Sequence, residues 1–508
     1  MAAIITEKFR QTNATAFYDN VGAANGKYYM FVGKSQPWTS EGATTDNNPP
    51  APLDNVAEEP CYWDDMLGAK LISSKSFVIP RRDYSTGVAF DMYRHDVGAV
   101  TSGNYNTTKT TTSSGATSLY DSTFYFKTAE HKVYKVLYNG DEAQTGANNI
   151  SGTAPTSVSS TPFWHDANYY LKYMYTMSAS QVQNYLTTDF MPISTNNNPA
   201  ANRGIFTFIV TDPGTNGTRP TNTYYTKVRG DGSGAIIKLE ISNDGSIETM
   251  KQTGGSEMQA NGTGYTFASV DLSVTNIFTN TAATTPISGQ DATDWTTALN
   301  ANPPKIKVIV DPPEGHGKDD VEELGGHYVM LQAKFEPADS DVVQVNDFRR
   351  VGIVKNPIDP LTSQISVLSS ARTTGAIRIT ANVAFQVDEE IFQAGSHARA
   401  RVVEYDSTNK IIYYIQEKYS TYGLSTDNSV KNNIVAFNTT GQISGVTSSV
   451  NGTVDTNADS AINGVSFTDG LSGPELNRDS GDIIYVENRR AISRASDQTE
   501  DIKVVVEF

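Results

Sequence analysis

Residues 327–336 have the sequence HYVMLQAKFE, in which apolar side chains alternate with other residues along the whole stretch. Val329, Leu331, Ala333 and Phe335 fall on one side of an extended chain, because successive side chains of a strand point to opposite faces. This alternation predicts a β-strand with one buried face. It is the clearest such pattern in a chain of 508 residues.

The same period of two recurs through much of the sequence. In NYYLKYMYTM (168–177) the odd positions are aromatic or aliphatic, whereas Lys172 faces the other way. Val88, Phe90 and Met92 alternate in the same manner, so we predict a strand there as well. Further strands are predicted in GIFTFIV (204–210), AIIKLEIS (235–242), GAIRITANVAF (375–385) and the hairpin RVVEYDSTNKIIYYIQ (401–416).

Helices are expected to be few, and the sequence indicates a mainly antiparallel β protein. Residues 7–21 are the best helical candidate, since Phe9, Phe17 and Val21 fall near one face and Gly22 can end the helix. Tight-turn glycines between short strands favour two inserted small β modules, at about 222–275 and 365–475. Ser-, Thr-, Asn- and Gly-rich stretches at 101–119, 145–161 and 436–465 are predicted to be exposed loops.

The composition favours a β-rich, acidic protein. Aromatic residues reach 10%, which suits half-buried strand surfaces and argues against disorder. The formal net charge of −17 argues against non-specific binding to nucleic acid, because phosphate neutralisation needs Lys and Arg. Cys61 is the only cysteine, which suits folding in a reducing cytoplasm. No apolar run is long enough for a secretory signal or a membrane span, so we expect neither.

The most tempting chemical site lies in DPPEGHGKDDVEELGGHY (311–328). Its spacing matches neither the helical zinc motif H-E-x-x-H nor the EF-hand loop. Glycines and prolines surround the acidic residues, so a solvated connection is the simpler interpretation, and we predict no metal or other cofactor. A bound metal stays the open alternative. Possible ligands for zinc or calcium are His316, Asp319, Asp320, Glu322, Glu323 and His327.

No catalytic motif emerges, and we predict that the chain is not an enzyme and has no catalytic residues. A G-x-S-x-G elbow and a phosphate-binding loop are both missing from the sequence. Asp64 and Asp65 could serve as the two acids of a glycosidase, but 56 acidic residues produce such pairs by chance. The tripeptide RGD at 229–231 is interpreted as tight-turn chemistry rather than as an adhesion signal.

Several sequence blocks follow one another in a characteristic order. Together they resemble the baseplate wedge subunit number eight family of contractile-tailed, T-even-like bacteriophages. The blocks near the start are ITEKFRQTNATAFYDNVG (5–22), YYMFVGKSQPWTSE (28–41) and FVIPRRDYSTG (77–87). The later ones are KVYKVLYNG (132–140), NYYLKYMYTM (168–177), DFRRVGIVKNPID (347–359) and GDIIYVENRRAISRASDQTEDIKVVVEF (481–508).

The resemblance implies an antiparallel β-sandwich core whose last strand lies inside the core sheet. In that sheet, strands 482–487 and 502–508 are expected to pair. The expected organisation is the N-terminal part of the wedge-protein core at 1–221, an inserted β module and return strand at 222–340, a core strand and turn at 341–362, a second inserted β module at 363–477, and a C-terminal core hairpin at 478–508.

The loop ENRRAISRASDQTED (487–501) is predicted to join these two paired strands. Its charged side chains are expected to be solvated, since exposed ion pairs contribute little. The alternative is that they pair across a subunit interface. The residues concerned are Arg489, Arg490, Arg494, Asp497, Glu500 and Asp501.

The resemblance also implies a function. We expect a structural protein of the virion tail baseplate, assembled in the host cytoplasm, that links inner wedge proteins to peripheral baseplate and tail-fibre-network proteins. It implies a homodimer, and we expect no nucleic-acid or membrane partner; loops would form the contacts, which would rearrange during sheath contraction. One alternative is a carbohydrate- or receptor-binding tail module in which Trp38 and Trp164 stack on sugar rings. Another is a tail-associated glycan hydrolase.

Overall fold

The computed structural model confirms the predicted fold class, since 39% of the residues that it describes are in strands and 12% in helices, and several of its sheets are antiparallel. Alternating sequences such as 328–335 form the strands, because an extended chain can bury one row of side chains. The structure describes residues 4–41, 43, 45–56, 59–98, 112, 114–140, 153–166, 169–195, 203–214, 219, 222–336, 347–417, 434–493 and 498–508.

The helices in the described ranges are short, and the predicted helix at 7–21 is confirmed as the first of them. They are α1 (Glu7–Asn20), α2 (Glu59–Asp64), α3 (Ala179–Tyr185), α4 (Gly289–Ala301) and α5 (Asp320–Leu324), with 3₁₀ turns at Trp38–Glu41 and Val274–Asn276.

The strands are distributed along the whole described chain. In chain order they are β1 (Tyr28–Gly33), β2 (Met66–Leu71), β3 (Ser74–Pro80), β4 (Tyr125–Lys127), β5 (Lys132–Tyr138), β6 (Phe163–His165), β7 (Tyr169–Thr176), β8 (Phe190–Pro192), β9 (Thr207–Asp212), β10 (Thr223–Gly230), β11 (Ser233–Glu240), β12 (Glu257–Thr263), β13 (Ala268–Val270), β14 (Ile277–Phe278), β15 (Lys305–Ile309), β16 (Tyr328–Phe335), β17 (Phe348–Lys355), β18 (Ser370–Arg372), β19 (Gly375–Arg378), β20 (Glu390–Gln393), β21 (Ala398–Asp406), β22 (Ile411–Ile415), β23 (Gln442–Gly445), β24 (Asn451–Thr453), β25 (Ala461–Ile462), β26 (Val465–Ser466), β27 (Leu471–Ser472), β28 (Asp482–Ile492) and β29 (Glu500–Glu507).

The chain folds as two compact units, and each is discontinuous in sequence. The first unit comprises Met1–Thr15, Ser76–Val329 and Glu507–Phe508. The second comprises Ala16–Lys75 and Met330–Val506.

In the second unit, a five-stranded sheet joins segments from distant parts of the sequence. Its order is β18-β2-β1-β17-β28, so strands near residues 30 and 70 pair with strands near 350 and 490. Tyr29, Phe31, Met66 and Val354 are buried together on this sheet. The early and late parts of the sequence therefore fold as one sheet in this unit.

Gly352 shows how tightly this sheet is packed. It lies opposite Phe31 in the register of β1 and β17. A Cβ atom added to Gly352 would lie 2.2 Å from Cζ of Phe31 and 2.7 Å from the carbonyl oxygen of Tyr485. Glycine is therefore required in the middle of this strand, where it otherwise weakens pairing.

A seven-stranded sheet occupies 375–472 of the second unit, in the order β24-β23-β20-β21-β22-β19-β27. The predicted hairpin at 401–416 is confirmed as β21 and β22. The prediction of an exposed loop at 436–465 is wrong, because β23 and β24 lie there and Ile443 and Val454 are buried. Their small polar neighbours disguise short strands whose apolar residues are far apart in sequence.

The first unit contains three further groups of strands. One sheet has the order β4-β5-β7-β6, a second has β12-β11-β10-β13 with β14 also beside β10, and β9 pairs with β15. In β7 the alternating row is confirmed: Tyr169, Leu171 and Tyr175 are buried and Tyr173 is half-buried. Aromatic rings fill much of this interior, which accounts for the high aromatic content.

The predicted strand around Phe90 is wrong. Residues 88–93 form no strand beyond an isolated bridge at their first residue. The backbone N–H groups of Phe90 and Asp91 donate to the side-chain hydroxyls of Tyr169 and Thr123, both at 3.1 Å. Alternation in sequence therefore reflects burial here, while side-chain hydroxyls satisfy backbone donors that a neighbouring strand would otherwise bind.

The expected pairing of strands 482–487 and 502–508 is also wrong. β28 pairs with β17, whereas β29 lies beside β16 in another sheet, and each of the two strands ends its sheet. The last strand therefore lies at a sheet edge rather than inside the core sheet. Ile502 and Val504 are nevertheless buried, which explains the alternation of this segment.

Candidate functional site

Residues 311–328 do not form an open, solvated connection; they build a compact turn and helix in the first unit. Asp319 caps α5, since one oxygen of its carboxylate accepts hydrogen bonds from the N–H groups of Val321 (2.9 Å) and Glu322 (3.1 Å). Gly325 ends the helix with φ of 80°, a left-handed conformation that favours glycine. Helix capping therefore accounts for part of this acidic pattern.

A buried ion pair lies at the centre of the segment. Nζ of Lys135 donates to Oε2 of Glu323 at 2.8 Å, and both side chains are almost completely buried. The other carboxylate oxygen accepts from the backbone N–H groups of Gly317 (2.5 Å) and Lys318 (2.9 Å). His316 lies beside the pair, with Nδ1 3.8 Å from Glu323.

Two carboxyl groups of this buried charge cluster have pKa values that move in opposite directions. Burial alone would raise the pKa of Glu323, but Lys135 and His316 outweigh that effect and lower it to about 2. Burial, followed by repulsion from Glu323 and Asp319, raises the pKa of Asp320 to about 7. One carboxyl is thus held ionised beside another that takes up a proton near neutral pH.

The six possible ligands do not converge. Nε2 of His316 lies 3.2 Å from Asp311, a residue outside the predicted set, whereas Nδ1 of His327 lies 3.4 Å from Glu7. Glu322 faces Lys8 instead, at 2.9 Å. In the described ranges no group of three or more His, Cys, Asp or Glu side chains could hold a metal ion.

The Asp64 and Asp65 pair belongs to a set of buried charges in the second unit. Asp64 accepts a hydrogen bond from Arg478 at 3.0 Å, and Asp65 accepts one from Arg350 at 2.5 Å. Each carboxylate therefore has its own guanidinium partner. The pair stabilises the interior of this unit rather than presenting two acids to a bound sugar.

The two tryptophans suggested for sugar stacking differ in exposure. Trp38 is fully buried, and its ring N–H donates to the carbonyl oxygen of Arg489 at 2.7 Å. It cannot stack on a ligand. Trp164 is half-buried against the rings of Tyr138 and Tyr170, with centroid distances of 6.2 and 5.0 Å.

The RGD tripeptide spans the end of β10 and the start of the tight turn at 231–232 that precedes β11. The carboxylate of Asp231 accepts from the N–H groups of Thr266 (2.8 Å) and Phe267 (3.2 Å), while Arg229 pairs with Asp271 at 2.6 Å. Both charged side chains are therefore used within the first unit. The turn interpretation accounts for these contacts.

The charged residues predicted to form a terminal loop lie mainly on strands. Arg489 and Arg490 belong to β28, and Glu500 and Asp501 begin β29. Glu500 is buried, so the expectation of a fully solvated loop is wrong for that residue. Arg494 and Asp497 lie outside the described residues.

Sequence reasoning missed the partner lysines of the buried charge cluster. Lys135 and Lys172 each stand in the middle of an otherwise apolar strand, β5 and β7, and both are buried. A lysine flanked on both sides by core residues is unusual, because its charge needs a partner away from water. That local signal could have indicated a buried acid, although not which one.

Comparisons with known proteins find a similarity to a phage baseplate protein over the first part of the chain. Residues 3–123 match the family described as "Phage-Gp8: Bacteriophage T4, Gp8". The baseplate wedge protein gp8 of Enterobacteria phage T4 is 33% identical over 114 residues, which are 21% of this chain and 34% of that protein. The match thus spans about a third of the relative's length.

No helix in the described ranges is long and apolar enough to cross a membrane. The blocks from 132 onward that resemble the family lie beyond the matched residues, so their assignment stays a prediction. The match at 3–123 covers the first three resembling blocks. The resemblance of this chain to the phage baseplate wedge subunit eight family is thereby confirmed over residues 3–123.

Proposed function

We propose that this chain is a structural component of the baseplate wedge in a phage contractile tail. It would reside in the virion tail baseplate after assembly in the host cytoplasm. The main support is the sequence match at residues 3–123 to a family whose member in phage T4 is a baseplate wedge protein.

The position of the matched residues in the fold strengthens this proposal. They include β1 and β2, which lie inside the five-stranded sheet of the second unit. The other strands of that sheet, β17, β18 and β28, come from residues 348–492. The matched region is thus integrated with the late part of the chain and is not an independent appendage.

The finer assignment is a homodimer that links inner wedge proteins to peripheral baseplate proteins. Loops would supply those contacts, because loops tolerate variation and carry binding residues on a rigid scaffold. The mechanical role requires no catalysis, and we propose none. Light scattering at micromolar concentration should give twice the mass of one chain, and a monomer would contradict the dimer.

A cryo-electron map of purified virion tails tests the proposal directly. The two units should fit density in the baseplate wedge, in copies related by the symmetry of the baseplate. Mass spectrometry of the same tails provides an independent readout of the chain's presence. Tails that lack the chain, or that carry it only at a fibre tip, would overturn the proposed role.

A further inference from the structure

A groove of about 510 Å³ lies in the second unit, between the loop at 52–56 and strand β28. Residues 483–486 form one side of it, and Glu59 and Tyr62 of α2 complete the lining. Its size falls in the range of binding pockets that accept specific ligands.

The strand beside the groove is a sheet edge. β28 is the terminal strand of its sheet, and no other strand in the described ranges pairs with its outer side. Part of that side is covered, since Asn488 donates to the carbonyl oxygen of Pro50 (3.0 Å) and Arg490 donates to that of Asn47 (3.1 Å). Residues 483–486 face the groove instead. Such an edge offers backbone hydrogen-bonding groups to another chain.

The opposite wall of the groove is held in place. The hydroxyl of Tyr62 donates to the carbonyl oxygen of Leu53 at 2.7 Å and accepts from its N–H at 3.1 Å. Yet the Leu53 side chain is 56% exposed, Val56 is 88% exposed, and Ile484 across the groove is 44% exposed. Large apolar side chains around a fixed concave surface mark a site of association.

The charge of the groove restricts the chemistry of its partner. Asp54 and Glu59 line it, and none of the described lining residues is basic. Asp482 and Glu487 stand at the two ends of the strand segment that faces it. An acidic groove favours a partner segment that carries Lys or Arg.

We propose that this groove binds an extended, basic and apolar segment of a neighbouring baseplate protein, which adds a strand to β28. Its apolar side chains would pack on Leu53, Val56 and Ile484, and its basic side chains would face Asp54 and Glu59. This assignment rests on the proposed function, because the baseplate supplies the neighbour. A second copy of this chain would be a poorer occupant, since it brings the same carboxylates to the groove.

Binding of a labelled peptide to the full chain tests the inference. The probe alternates valine and lysine over about nine residues, the length of one edge strand. Two comparison peptides carry glutamate in place of lysine, or the same residues arranged in blocks. Fluorescence anisotropy should show binding of the alternating basic peptide at least about tenfold tighter than of either comparison peptide.

Matched variants locate the binding site. Leu53→Lys combined with Val56→Lys should weaken binding about tenfold or more, because it removes apolar contacts and adds like charge. Leu361→Lys makes the same change at a side chain that is 94% exposed in the same unit and outside the groove, so it should leave binding unchanged. Equal binding of all three peptides, or equal loss in both variants, would overturn the inference. Loss of the dimer in the double variant alone would also overturn it, by assigning the groove to self-association.

A peptide array of the virion's other structural proteins then separates this inference from the proposed function. The inference expects at least one basic, alternating segment that binds the native chain and not the double variant. An array without such a segment, with the chain present in the baseplate map, would refute the groove assignment alone. Groove-dependent peptide binding with no chain in the baseplate would refute the proposed function alone.

Discussion

The two units bury charge in different ways. In the second unit, arginines meet aspartates: Arg349 binds Asp46 through two parallel hydrogen bonds of 2.9 and 3.0 Å, and Arg350 binds Asp65. In the first unit two lysines, two carboxyl groups and a histidine share one interior, around the Lys135–Glu323 pair.

The two units differ in how completely each buried charge is compensated by partners of opposite charge and by aromatic rings. Arg350 has a carboxylate partner and also lies over the rings of Trp38 and Tyr62, with distances of 5.6 and 4.7 Å to their centroids. A planar guanidinium can make all these contacts at once. In the first unit, Lys135 serves Glu323, while Asp320 beside it has its pKa raised to about 7. We therefore expect the stability of the first unit to change with pH near neutrality. The stability that the arginine pairs provide should depend instead on the planar shape of the guanidinium group.

Removing the lysine of the first unit should have the largest effect. Lys135→Met leaves Glu323 buried without its cation, and we expect a loss of about 3–5 kcal/mol in the free energy of unfolding. Urea denaturation gives the total loss, and hydrogen exchange should show it in β4, β5 and β7.

Two controls define the origin of that loss. Lys305→Met changes a lysine of the same unit that is 70% exposed, and it should cost less than about 0.5 kcal/mol. The double variant Lys135→Met with Glu323→Gln should recover part of the loss, because no unpaired carboxylate remains buried. Glu323→Gln alone completes the cycle; if its loss and that of Lys135→Met simply add in the double variant, the ion pair is not the cause of the loss.

Asp320→Asn should raise the free energy of unfolding at high pH, whereas Lys135→Met lowers it. The folded chain binds the Asp320 proton more tightly than the unfolded chain, because burial raises its pKa from 3.8 to about 7. Stability from this group is therefore present below pH 4 and is lost as the pH rises towards 7. The amide removes that loss, so the variant should be more stable than the native chain by about 1–3 kcal/mol at pH 8.

Thermal melting at pH 5 and pH 8 measures this effect. The gain in melting temperature should be larger at pH 8 than at pH 5. Glu314→Gln is the matched control, because that side chain is exposed on the same segment, and its pH profile should follow that of the native chain. An equal shift at both pH values would indicate a change in packing rather than titration.

Arg350→Lys tests whether the second unit depends on contacts that only a planar guanidinium can make. The charge is kept, but the hydrogen bond from Nε to Asn488 (2.9 Å) and the stacking on two rings are lost. We expect a loss of about 1–2 kcal/mol by urea denaturation. Arg489→Lys, at a half-exposed pair with Glu487, should change stability by a few tenths of a kcal/mol at most. Equal losses would mean that burial of the guanidinium does not matter.

Local sequence patterns predict local structure in this protein. They do not predict the buried charge pairs, whose members are far apart in sequence. The alternation at 328–335 identifies β16, because a strand core has the same period as the sequence. The same alternation around Phe90 gives no strand, since the backbone N–H groups there donate to the side-chain hydroxyls of Tyr169 and Thr123. A local sequence pattern does not show which distant residues will supply such partners.

The buried charge cluster was beyond prediction for the same reason. Lys135 and Glu323 are separated by 188 positions, so no spacing rule connects them. The acidic stretch at 311–328 looked like a ligand set because its cations lie on other strands. The C-terminal strands were misassigned likewise: both are genuine strands, but their partners β17 and β16 are set by the whole fold.

Lys8→Ala should have the smallest effect on stability, and it tests an ion pair that lies at the surface rather than in the interior. Lys8 pairs with Glu322 at 2.9 Å, but its side chain is 69% exposed, so we expect a change of at most about 0.5 kcal/mol that disappears in high salt. Gln11→Ala, one helical turn away, removes a buried amide that donates to the carbonyl oxygen of the same Glu322 at 3.1 Å, and it should cost about 1 kcal/mol. If urea denaturation gave the larger loss for Lys8→Ala, burial would not decide the strength of charged contacts in the first unit, and the contrast between its interior and its surface would fail.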